Sequence, residues 1–302
     1  MSAADAKWWD GGRGVPPELL WSFTADAPLA AIQLGRETGE LLIADASGGL
    51  YLLDRRGQVV ALTRGFQRLG KIAWSDTGNG GVANIGDRTL CLLSNSLKEE
   101  WSADLSDDIL GVAVDPFGNH VAAALANGAN QVFTRNQQRV CRFDTVRPLS
   151  HLRFVPADAR ILGVAEYGLI CCHELTGPEI WQEKTWSNIG DACLAGGENV
   201  VHLAAFSHGV QKFRLSDGST AGLLQVEGTP NRVASSYTGN RLAIATVERQ
   251  FYWCDRHGEL IWAAHLDEDV TAVHCDPLGA GLVCGLASGR VVRLEWGLPE
   301  RE

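Results

Sequence analysis

Long apolar runs, catalytic signatures and paired-cysteine spacings are all missing from this 302-residue chain. No uninterrupted apolar stretch approaches the roughly 18 residues that a membrane-spanning helix requires, and no basic-then-apolar leader opens the chain. Both absences lead to the expectation of a cytoplasmic protein that does not enter membranes. Apolar residues spaced three and four apart between caps are also lacking, so helices are expected to be few. There is no GxSxG elbow, HExxH, P-loop or Rossmann glycine pattern, which removes the usual marks of hydrolases, zinc proteases and nucleotide enzymes. None of the 8 cysteines stands in a CxxC. They fall mostly inside strand-like stretches, as expected of free buried thiols in a reducing compartment. No Asn-x-Ser/Thr acceptor occurs. A basic surplus is lacking too: 26 Lys and Arg stand against 36 Asp and Glu, a net charge of −10. Phosphate backbones need a basic footprint, so nucleic acid is not an expected partner.

What is present is repetition. The stretch Arg256–Trp296 holds a Gly turn, a strand ending in Trp262, an acidic loop and three more strand-length runs. Trp262 aligns backwards with Gly222, Trp181, Cys141, Trp101, Ala61 and Trp21 at steps of 40, 41, 40, 40, 40 and 40. Gly48, Arg88, Gly128, Gly168, Gly209, Arg249 and Gly289 form a second column at the same pitch. About 40 residues per unit, divided among four short strands, is the period of a β-propeller blade. The inner strand of each unit places apolar residues two apart, as in Ile32/Leu34, Ile72/Trp74 and Val112/Val114. That alternation commits one side of the strand to packing between blades. DPFG at 115–118 and DPLG at 276–279 read as reverse turns.

The first strand in the chain, near Leu19–Thr24, matches the last strand of a unit, while the final unit supplies only three strands. The chain ends are therefore expected to share one blade and close the ring, which removes two free sheet edges. The expected architecture is all-β: seven blades of four antiparallel strands in one domain over residues 18–297. An irregular tail over 1–17 and a short one over 298–302 flank it. Trp8 and Trp9 in the first tail are expected to lie against the outside of the ring.

TGPEIW at 176–181 and HGELIW at 257–262 resemble the repeat end of the PQQ-like branch of the PQQ-like and WD40-like β-propeller superfamily. The resemblance covers about residues 18–297. It implies that Trp21, Trp101, Trp181 and Trp262 pack between neighbouring blades. Ala61, Cys141 and Gly222 depart from the column, and the Gly-His and Trp-Asp dipeptides of WD40 blades are absent from the repeats. The carboxylate, calcium and aromatic lid of the family's quinone enzymes find no counterpart, so no cofactor is expected.

Three places could carry chemistry. Cys171-Cys172-His173 has metal-binding residue types, but adjacent strand residues point to opposite faces and cannot share one ion; no metal is expected. The second is the central channel, where Gln33, Lys71, His151, Arg153, Arg232 and His274 alternate with the packed apolar pairs. These groups could hold a phosphate, a carboxylate or an acidic side chain, or could line water and pair with Asp191 and main-chain carbonyls. The third is the face formed by the outer-to-inner connections and the second-to-third turns. It gathers Tyr167, Trp186, Phe206 and His208, the composition of a protein-binding hot spot. Asp104, Asp107, Asp108, Asp267, Glu268 and Asp269 lie on that face and could steer a basic partner. The expectation is a monomeric, non-enzymatic interaction platform. The alternative is a sensor or enzyme for a small anion, using the channel cations.

Overall fold

The computed structural model describes residues 8–298 except Ala157 and Glu198. Blade 1 shows the plan: Leu29–Leu34, Leu41–Asp45, Leu50–Leu53 and Val59–Thr63 run from the channel outwards as an antiparallel meander. Five further sheets repeat it: blade 2 over 69–104, blade 3 over 109–144, blade 4 over 151–184, blade 5 over 189–224 and blade 6 over 230–265. The seventh is made of Val270–Cys275, Gly281–Leu286, Arg290–Glu295 and, on its outer edge, Glu18–Thr24. The N-terminal strand pairs antiparallel with Arg290–Glu295, Thr24 opposite Arg290 and Glu18 opposite Glu295. The ring is closed as the repeat count requires.

Each blade twists enough to stack on the next. The outer strand carries a register shift immediately before its column residue in all seven blades, as between Leu19 and Trp21 or between Glu99 and Trp101. A bulge of this kind adds a residue on one side and raises the local right-handed twist. The core is divided accordingly. Seven clusters of buried apolar side chains form, one in each gap between adjacent blades.

The column tryptophans bridge these gaps. Trp21 Nε1 donates to the Arg55 carbonyl (3.1 Å), Trp101 to Arg135 (2.7 Å) and Trp181 to Leu215 (2.9 Å). Each acceptor lies 34 residues on, in the third-to-outer turn of the next blade. Gly57 and Gly218 meet the rings of Trp21 and Trp181; a Cβ there would come within 2.6 and 2.5 Å of them. The packing implied by the family resemblance is thus present at Trp21, Trp101 and Trp181 with a hydrogen bond, and at Trp262, buried in the cluster between blades 6 and 7, without one among the described residues.

From Trp8 onward the expectation of an irregular N-terminal tail needs correction; residues 1–7 and 299–302 of the two expected tails lie outside the described residues. Trp8–Asp10 form a short 3-10 turn, and Arg13–Gly14 add a fifth strand to the edge of blade 6, pairing with Ala263 and Trp262. Trp8 and Trp9 are buried, and Trp8 sits 5.8 Å from the ring of Trp262 and 6.0 Å from that of Phe251. The physical reason lies in two glycines that read as loop formers. A Cβ on Gly12 would stand 2.2 Å from Trp262 Nε1, and one on Gly14 would stand 2.2 Å from the Ile261 carbonyl oxygen. Their bare backbone lets the strap lie flat across Trp262. Trp296 Nε1 then donates to the Val15 carbonyl at 2.7 Å.

Candidate functional site: a cationic channel beneath an aromatic face

The inner strands line a cavity of about 530 Å³ on the ring axis. Residues one pitch apart form layers around it. The layer nearer the loop face holds Ala31, Lys71, Gly111, His151, Asp191, Arg232 and Ala272; the next holds Gln33, Ala73, Ala113, Arg153, Cys193, Ala234 and His274. Small residues fill seven of these fourteen places if Cys193 is counted with them. They leave room into which the long cationic side chains extend.

Every expected channel residue reaches this cavity. His274 donates from Nε2 to the Ile32 carbonyl at 2.9 Å. Arg232 donates to the carbonyls of Thr271 and Asn231, both at 2.6 Å, and Arg153 to that of Leu152 at 2.9 Å. His151 Nδ1 lies 3.7 Å from Asp191 Oδ1. The Asp191 carboxylate itself accepts the amides of Ala192 (2.8 Å) and Val233 (3.2 Å). Among the described residues no carboxylate comes within 4.0 Å of the charged nitrogens of Lys71, Arg153 or Arg232. Burial, and then the neighbouring Arg232 charge, push the Lys71 ammonium below its ordinary range. Its side chain touches solvent, but that solvent is a narrow column walled by protein. Burial also lowers His151 and His274 to about 4, so both rings are neutral at pH 7.

The far end of the channel is narrowed. Arg36 forms a two-pronged ion pair with Asp76, Nε to Oδ1 at 3.0 Å and Nη2 to Oδ2 at 2.7 Å. The same guanidinium lies 5.6 Å from the ring centre of Tyr237, two blades away around the ring. Glu166 and Phe206 stand at the opposite mouth.

That mouth opens onto the loop face. Trp186 is 95% exposed and Tyr167 61%, while Phe206 is 40% exposed with its ring over Gly190. His208 is exposed beside them. Hydrogen bonds tie the three loops together: Ile189 N to Glu166 O, Phe206 N to Asn188 O, and Ser207 N to Ser187 Oγ. Trp186 therefore projects from a braced loop rather than filling a gap between blades. Val146 (74% exposed) and Val247 (53%) continue the patch, an extension not anticipated from sequence. Lone valines in turns carry no sequence signal; the ring brings their loops to the same end as the aromatics.

The acidic groups are less free than their charges suggest. Arg88 pairs with Asp108 (2.8 Å) and approaches Asp107 (4.0 Å); Arg249 pairs with Asp269 (2.7 Å). Asp104 accepts the Thr89 hydroxyl (2.6 Å) and Glu268 the Ser288 amide (2.8 Å). Asp267 is exposed. Elsewhere, Cys171 faces the gap between blades 3 and 4 and Cys172 the gap between blades 4 and 5. His173 donates from Nδ1 to the Gly177 carbonyl and stacks on Phe143 at 4.1 Å, a packing role. No helix among the described residues is long and apolar enough to cross a membrane.

These features define a seven-bladed β-propeller with a cationic axis opening beneath an aromatic loop face. The β-propeller domain of Myceliophteria thermophila Cps50 (Swd1) shares the fold, with a TM-score of 0.80 and 18% identity over 93% of this chain and 100% of that one. At that identity the likeness carries the fold alone. No protein-family model matches the chain, and no curated protein is similar to it.

Proposed function

We propose that this protein is a non-enzymatic, cytoplasmic β-propeller that binds another protein through its loop face. The observation that carries the reading is Trp186, 95% exposed on a hydrogen-bonded loop between Tyr167 and Phe206. Large aromatic side chains held out in water on rigid supports are what hot spots are made of. The apolar arc over blades 4 to 6 supplies the anchor, and the carboxylates at 107–108 and 267–269 bias the surface toward a basic partner. Arg88 and Arg249 weaken that bias, so the aromatic contact dominates affinity while charge sets the approach. The Gly-to-Trp repeat ends support placing the chain on the PQQ-like side of its superfamily, without a quinone.

The test compares affinity capture from the native cell by wild type, Trp186→Ala and Tyr167→Ala, with Val60→Ala on the outer strand of blade 1 as control. A partner retained by wild type and control, but lost by the two aromatic variants at unchanged melting temperature, is the expected result. Equal capture by all four proteins sinks the reading.

A further inference from the structure

We propose that the central channel binds a small oxyanion carrying at least two negative charges, a ligand separate from the protein partner of the loop face. Lys71, Arg153 and Arg232 reach one cavity from blades 2, 4 and 6. Against these three cations stand Asp191 inside and Glu166 at the mouth. The axis is therefore positive by one charge in a protein whose net charge is −10. Asp191 already holds two backbone amides. Among the described residues the two guanidiniums bond only main-chain carbonyls, which anchor each fork, and each keeps further N–H donors.

Holding three cations together against two carboxylates, neither within 4.0 Å of their charged nitrogens, costs free energy. Removal from bulk water first, then Arg232 and Arg153, disfavour the charge on Lys71, and Asp191 and Glu166 offset them only in part. Seven small wall positions could have been filled by larger neutral side chains, yet the space stays open and cation-lined. Such a local conflict marks a functional site rather than a packing layer. An anion relieves it, and planar guanidinium forks match oxyanions with paired donors. A cavity of about 530 Å³ lies in the range of small-molecule sites. With Arg36 and Tyr237 narrowing the far exit, the ligand enters from the loop face past Phe206.

The probe is inorganic pyrophosphate, followed by calorimetric titration and thermal shift at ionic strength matched with sodium chloride. Wild type is expected to bind at one site with a rise in melting temperature. Arg153→Gln and Arg232→Gln weaken binding at least tenfold, and Trp186→Ala leaves it unchanged. Should a glutamine variant fail to fold, Lys71→Met carries the same expectation. No heat and no shift in wild type beyond the salt control overturn the proposal. So does equal affinity in wild type and the channel variants. Tighter binding of a hexaglutamate peptide than of pyrophosphate overturns it as well, since the cations would then serve an acidic segment of a protein.

Discussion

His202 is buried in the second strand of blade 5 with 4% of its surface exposed, and its Nδ1 has no partner among the described residues. Burial lowers its pKa to about 3, and His151 and His274 to about 4. All three folded values lie below the unfolded value of about 6.5. A depressed histidine contributes its stability in full above the unfolded pKa and loses it as pH falls toward the folded one. The protein is thus expected to lose melting temperature between pH 7.5 and 5, above the range where ordinary carboxylates protonate. At pH 5 the His202 contribution lost is about 2 kcal/mol. His202→Phe should leave stability at pH 7.5 nearly unchanged and flatten the decline, as read by calorimetry at several pH values. A wild-type melting temperature that is the same at pH 7.5 and pH 5 would show these rings to be solvated. His202 was illegible in the sequence, because one polar residue inside VVHLAA does not reveal which side of the strand it takes. The channel residues were legible because they repeat at the pitch that also marks the packed pairs.

The inter-blade tryptophan, the outer-strand bulge and the N-terminal strap are devices of whole elements. Trp101→Phe keeps most of the apolar area but loses the bond to the Arg135 carbonyl. The part-buried carbonyl it leaves unpaired sets the expected cost at about 1 kcal/mol, measurable by denaturant titration. The strap gives a sharper case. Gly14 has φ +100 and lies against the Ile261 carbonyl, so Gly14→Ala suffers both a backbone penalty and a clash. The variant is expected to release the strap from blade 6, wet Trp8 and Trp9, and shift tryptophan fluorescence to the red with a lower melting temperature. An unshifted spectrum would mean the strap holds without its strand pairing. Repetition made the blades readable, but nothing repeats the strap, so GGRG at 11–14 gave only a loop signal. The second column was also one place off in blade 5. The hydrogen bond from His208 N to Ala205 O repeats that from Gly168 N to Ala165 O, which puts His208 rather than Gly209 at the equivalent turn position. The extra residue falls later, in the turn closed by Arg214 and Ser219.

At the scale of the ring, function depends on closure, because only closure brings blades 2, 4 and 6 to face one another across a shared axis. The same geometry gathers Val146, Tyr167, Trp186, Phe206 and Val247 on one end. Repeat counting gave the number of blades and which loops share an end; it could not give side-chain direction or pairing, which depend on the neighbouring blade. Closure itself rests on two separable N-terminal pieces. Removal of residues 1–17 takes away the strap but keeps Glu18–Thr24 on the edge of blade 7. This truncation is expected to melt lower while eluting as a single species with native near-ultraviolet circular dichroism. Removal of residues 1–24 leaves Arg290–Glu295 as an unpaired edge and strips Trp21 and Phe23 from the gap between blades 7 and 1. An open edge beside exposed apolar side chains is a template for pairing with other chains. The longer truncation should therefore aggregate or elute as higher oligomers in chromatography with light scattering, and lose pyrophosphate binding together with loop-face capture. If it instead elutes as the wild type does and melts at the same temperature, the ring is held by the inter-blade cores alone, and the N-terminal strand contributes nothing to either site.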